Sequence, residues 1–137
     1  MKSHELTEVI LGACFEVVNE LGAGFVESVY ENALLLALHQ KKITAKSQVP
    51  IVVEFRGEKV GHFIADLLVE DEIIVELKAV KTLAPEHLAQ TINYLKATGL
   101  ETALLVNFGN KKIEYRRLHN KIEKLNGDKF DNYNHDF

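Results

Sequence analysis

The chain has 137 residues, 47% hydrophobic and 26% charged, the proportions of one ordinary globular domain with material for a real core; disordered and fibrous classes do not fit. Its 16 Lys and Arg against 20 Asp and Glu give a formal net charge of -4, which disfavours a passive, sequence-indifferent coat on nucleic acid. Cations held between carboxylates would invert that sign locally, so local charge matters more than the sum.

The N-terminus, M-K-S-H-E-L-T-E, carries acids and no apolar signal core, and no run approaches the roughly 18 apolar residues of a membrane span, so no membrane targeting is expected. From Ser3 as N-cap, Leu6, Ile10, Ala13, Val17 and Leu21 recur at helical spacing, and Leu11, Cys14 and Val18 widen the stripe. Cys14 is the sole cysteine and cannot form an intramolecular disulfide; a buried, inert thiol in a reducing cytoplasm is expected. L-G-A-G-F at 21–25 ends this helix. A second follows from about Val26 to Lys41, with Val29, Ala33, Leu36 and Ala37 expected inward. Glu27, Tyr30 and Glu31 line one of its faces: either acids favoured by the helix dipole, or a set in which Glu27 is a metal or water ligand.

The period then changes. β-branched runs at Val49 to Phe55, Val60 to Val69 and Ile73 to Leu77 predict a three-stranded antiparallel meander. A third helix starts near Pro85, where a missing N–H has no intrahelical partner, and runs to Thr98 before Gly99. Thr102 to Asn107 and Lys112 to Leu118 predict two more strands. The order ααβββαββ implies an α/β or α+β sandwich, helices against a mixed sheet, in a single domain over residues 1–118. Residues 119–137 form a polar tail expected to be poorly ordered.

Polar residues interrupt the apolar strands. Alternation places Phe63, Ala65, Leu67 and Val69 on one face and Ile64, Asp66 and Leu68 on the other; in the next strand Ile74, Glu76 and Lys78 share a face. If Glu70, Asp71 and Glu72 form the loop, Val69 pairs with Ile73 and Asp66 falls opposite Glu76, with Cβ atoms about 5 Å apart. Like charges at that spacing ask for a cation. Mg²⁺ or Mn²⁺, taking both carboxylates and the Leu77 carbonyl, would answer, with Lys78 offsetting charge on a phosphate; a solvent-facing ion pair is the plainer alternative. On the third helix His87, Gln90 and Tyr94 form a donor-rich stripe near the lysine, while Leu88, Ile92 and Leu95 turn to the core.

G-F-V-E-S-V-Y, with Gly24, Glu27 and Tyr30, resembles the signature of the bacterial GxxExxY family. Asp66, Glu76-Leu77-Lys78 and Gln90-xxx-Tyr94 resemble the PD-(D/E)xK nuclease superfamily, particularly its RecB-like, QxxxY-containing branch, over roughly residues 5 to 118. The resemblance implies a restriction-endonuclease-like αβββαβ core. Glu27 then belongs to the first-helix motif, Asp66 and Glu76 bind metal, Lys78 is catalytic, and Gln90 and Tyr94, with Tyr30 and His87 beside them, orient substrate. Ala65 stands where the family name has proline, a position that supplies no ligand.

The reading that follows is a metal-dependent phosphodiesterase acting on nucleic acid, DNA ahead of RNA, in the cytoplasm, with a homodimer and an unidentified protein partner both compatible. A basic C-terminal hairpin with Lys111, Lys112, Arg116, Arg117, Lys121 and Lys124 could hold a nucleic-acid backbone, or be a solvated edge that resists aggregation. A catalytically silent nucleic-acid-binding or assembly module of the same fold is the first rival. A nucleotide phosphohydrolase is the second, weakened because no glycine-rich phosphate loop occurs. Six histidines and one cysteine without ligand-like spacing do not favour zinc.

Overall fold

The elements follow in the order α1 (Ser3–Leu21), α2 (Glu27–Gln40), β1 (Ala45–Phe55), β2 (Glu58–Val69), β3 (Ile73–Lys78), α3 (Pro85–Thr98), β4 (Thr102–Asn107) and β5 (Glu114–His119). The computed structural model describes residues 1–120; the expected disordered tail, with Lys121 and Lys124, lies outside the described residues except for His119, which closes β5, and Asn120. The strands form one sheet in the order β1-β2-β3-β4-β5, antiparallel except for the central β3–β4 pair. This is the mixed α+β sandwich of a restriction-endonuclease-like fold.

Helices cover both faces of the sheet, so β3 and β4 are buried on both sides and read as nearly continuous apolar runs. On one face α1 and α2 pack Leu6, Ile10, Cys14, Leu34 and Leu38 against Leu67, Val75, Leu77 and Val106. On the other, Leu88, Ile92 and Leu95 of α3 meet Ala65, Ile74, Ala103 and Leu105. Cys14 is fully buried, and burial pushes its thiol up to about 12.

Some local expectations fail for identifiable reasons. Ser3 is the first helical residue, not a side-chain cap; Lys2 occupies that position without a side-chain bond. Leu21, the last residue of α1, is exposed. On α2 the buried stripe is Tyr30, Leu34 and Leu38, and Leu36 faces outward at 59% exposure. Helix α3 matches its forecast: Pro85 opens it, and Gly99 ends it at φ 76°, donating its N–H to the Leu95 carbonyl.

The face assignment of β2 also changes. Leu67 and Val69 join the α1–α2 core, but Ala65 joins the α3 core and the Phe63 ring meets Tyr94 on α3. β1 reverses in step, with Ala45 on one side and Ile51 on the other. The reversal lies between the pairs Ser47↔Leu67 and Val49↔Ala65, where Gln48 adopts φ 55° and Asp66 stands across from it. A left-handed residue breaks the pleat, so side chains beyond it change sides. Because β3 pairs with β2 only from Leu67 to Val69, the rest of β1 and β2 continues as a two-stranded arm.

Candidate active site

The break in β2 builds the site. Val69 pairs with Ile73 across the three-residue turn and Leu67 with Val75, as the spacing predicted, but the ladder stops there. Beyond it the carboxylates replace the backbone ladder: Glu76 Oε2 accepts the Asp66 N–H at 2.7 Å, and Asp66 Oδ2 accepts the Leu77 N–H at 2.8 Å. Each acid is thereby fastened to the other's strand, which holds the two side chains together where the strands part.

Such proximity is electrostatically costly. Burial pushes the Asp66 carboxyl above the usual range; the Leu77 N–H opposes this, the Glu31 charge adds to it, Lys78 opposes it, and Glu27 adds to it. Glu76 is pushed further, to about 8, first by burial and then by the Asp66 charge, with the Asp66 N–H and Lys78 pulling back and Glu31 adding. Lys78 forms no direct ion pair among the described residues, yet its charge lowers both acids. Lys78 offsets only part of the shift, and both acids stay raised.

α3 closes one side. Tyr94 is buried at 4% exposure, and burial together with the Glu76 and Asp66 charges pushes its phenol up. Gln90 lies one turn earlier and, with Tyr94, lines a groove between α3 and the β1–β2 arm. His87 is placed differently from its substrate-facing expectation: its Nδ1 accepts the Ala84 N–H at 2.9 Å and caps the helix. Tyr30 departs further from expectation. It is fully buried, donates to the Gly22 carbonyl at 2.6 Å, accepts the Phe25 N–H at 3.2 Å and stacks on Phe108 with ring centroids 4.7 Å apart. Its hydroxyl ties down the loop that leads into Glu27 and does not face a substrate.

The profile of the PD-(D/E)XK nuclease superfamily matches residues 4–118, which contain all these groups. The chain belongs to this superfamily. No curated protein matches it. Among solved structures it is similar to the protein SSO0001, with 19% identity and a TM-score of 0.55, covering 76% of this chain and 57% of that one. It is also similar to an alkaline exonuclease from Laribacter hongkongensis, with 12% identity and a TM-score of 0.51, covering 91% of this chain and 74% of the exonuclease. These likenesses establish the fold.

PD-(D/E)XK nucleases generally use divalent metal ions, and the donor chemistry of the pair fits a hard cation. Oδ1 of Asp66 and Oε1 of Glu76 make no hydrogen bond to the described residues, and two carboxylates are the usual protein contribution to a magnesium site whose other positions are water or phosphate. Among the described residues no three His, Cys, Asp or Glu side chains form a group able to hold one ion. Glu27, at the exposed start of α2, is therefore not drawn into one cluster with the pair, contrary to expectation; its charge still reaches Asp66.

Three further residues shape the site. Glu31 bears on both acids and is held by Gln48 Nε2 through both carboxylate oxygens, at 3.1 and 2.9 Å. Its position one turn after Glu27 was the available signal. Buried Asn107 completes four hydrogen bonds: Oδ1 accepts the Val80 and Gly109 N–H groups, and Nδ2 donates to the Val80 carbonyl and to Glu114 Oε1. Glu114 also accepts the Leu83 N–H, and these bonds hold its carboxyl below the usual range. The segment between Lys78 and α3 is clamped from β4 and β5.

Proposed function

We propose that this chain hydrolyses phosphodiester bonds of nucleic acid, DNA ahead of RNA, with Mg²⁺ or Mn²⁺ taken by Asp66, Glu76 and the Leu77 carbonyl. The observation that carries the reading is the pair itself: two carboxylates fastened to each other's strands and pushed toward their neutral forms, first of all by burial. When bound, the ion supplies positive charge against the phosphate oxygens. The water oxygen bonds to phosphorus as the bond to the leaving sugar oxygen breaks, and that oxygen gains a proton. Lys78 offsets charge growing on the phosphate, while Gln90 and Tyr94 orient the strand. The narrower likenesses, to GxxExxY proteins through Gly24, Glu27 and Tyr30 and to the RecB-like branch through Gln90 and Tyr94, belong to the same proposal, as do a cytoplasmic setting and a homodimer. Among the described residues no helix is long and apolar enough to cross a membrane.

The basic hairpin contributes less to substrate than its composition suggests. Arg117 is committed to α1, donating to Glu8 at 2.8 Å and to the Thr7 hydroxyl at 3.0 Å, which leaves Lys111, Lys112 and Arg116 of that set among the described residues. Cleavage of a labelled oligonucleotide in Mg²⁺ tests the reading. Wild type is expected to cut and Lys78→Ala to lose about 10²- to 10³-fold in rate with its melting transition preserved. Equal rates would remove the catalytic role of Lys78, and binding without hydrolysis by wild type would establish the silent module instead.

A further inference from the structure

The groove between α3 and the β1–β2 arm encloses about 880 Å³, within the range of roughly 300–1,000 Å³ typical of small-ligand sites. The two carboxylates do not line it; Tyr94 joins the two regions, forming part of the groove wall while sensing the charge of Glu76 and Asp66. Next to Tyr94 on the arm lies Phe63, with ring centroids 5.7 Å apart and planes 47° from each other. Phe63 remains 45% exposed and lines the groove, so an aromatic side chain in contact with Tyr94 is accessible from it. Its position follows from the break at Asp66, which turns the arm's side chains toward α3.

We propose that this groove is a base-binding subsite, in which an unstacked nucleobase of a single-stranded segment lies on Phe63 while its phosphate reaches Asp66 and Glu76. The inference rests on the nucleolytic reading above and adds the strandedness of its substrate. An aromatic face takes any base by stacking, and the Gln90 and Asn93 carboxamides, which form no hydrogen bonds with the described residues, offer donors and acceptors to a base edge. Charge selects the base over the backbone: Glu54 and Glu86 outnumber Lys96 in the lining, a poor surface for phosphates. Bases in an intact duplex are paired and stacked, so the subsite favours single strands and frayed ends.

Twelve-nucleotide probes carrying 2-aminopurine, whose emission is quenched by stacking, test this in oligodeoxy and oligoribo forms. Quenching is followed by stopped flow in Mg²⁺, on a timescale before cleavage, with wild type, Phe63→Leu and Phe63→Ala. Wild type is expected to quench at least one single-stranded form and to bind it more tightly than the matching blunt duplex. Phe63→Ala should weaken binding about 5- to 150-fold, the range for loss of one base–aromatic stack. Phe63→Leu keeps an apolar contact with Tyr94 and an unchanged melting temperature, yet should lose the quench. Equal affinity and equal quench in wild type and Phe63→Leu, or a duplex bound as tightly as the single strand, would overturn the subsite. Cleavage measured on the same samples separates the two ideas: Phe63-dependent quenching without hydrolysis sinks the nucleolytic reading alone, and Phe63-independent hydrolysis sinks the subsite alone.

Discussion

Glu76 sits where two demands conflict. Its side chain terminates the β2–β3 ladder by accepting the Asp66 N–H, yet burial and the neighbouring carboxylate make its charge unfavourable and push its carboxyl to about 8. A folded value raised above the ordinary 4.5 means that the protonated form stabilises the fold, fully at pH below about 4.5 and progressively less as pH rises through 8. Asp66, raised first by burial and then by the Glu31 and Glu27 charges, acts in the same direction. Without divalent ions, stability is therefore expected to fall by on the order of a few kcal/mol between pH 5 and pH 8. Glu76→Gln keeps an oxygen for the Asp66 N–H and should flatten most of that decline, as urea unfolding at the two pH values would reveal. A variant as pH-sensitive as wild type would place the burden elsewhere. Lys78 belongs to the same balance, since its charge lowers both acids without pairing with either.

Elements deliver these side chains, and the clamp at the end of β4 fixes the segment that follows Lys78. Asn107 satisfies the Val80 N–H and carbonyl together, and Gly109 passes so close that any Cβ would overlap the Val80 backbone. Asn107→Leu should leave those groups unpaired at a cost of about 3 kcal/mol, seen as a lower urea midpoint with an unchanged slope; a loss within about 0.5 kcal/mol would mean that the segment holds itself. Asn107 escaped the sequence reading because its place at the end of an apolar strand carries no sign of the loop backbone it bonds, 27 positions away in sequence at Val80. Tyr30 misled for a different reason. The spacing Glu27, Tyr30, Glu31 defines one helix face, but its phenol reaches back to Gly22 and Phe25 while the acids bear on Asp66. The turn at 70–72 was legible because apolar runs ended on both sides of it and the pair Val69↔Ile73 followed. The reversal at Asp66 was not, since it depends on Gln48 turning left-handed and on carboxylates replacing a ladder, neither of which alters the apolar pattern.

Across the molecule, the sheet with α1 and α2 on one side and α3 on the other carries the pair at its centre and the groove at its margin. That arrangement was visible in outline from periodicity, because the helices are long and both central strands are nearly continuous apolar runs; which face each outer-arm residue takes was not. In a chain of net charge -4, cations gathered by acids invert the local sign where a phosphate would bind, so what Asp66 and Glu76 do with a divalent ion is decisive. Anomalous diffraction from a crystal soaked in Mn²⁺ measures this directly. A peak within coordination distance of both carboxylates is the expected result, and a soaked crystal with no manganese touching either acid would contradict it.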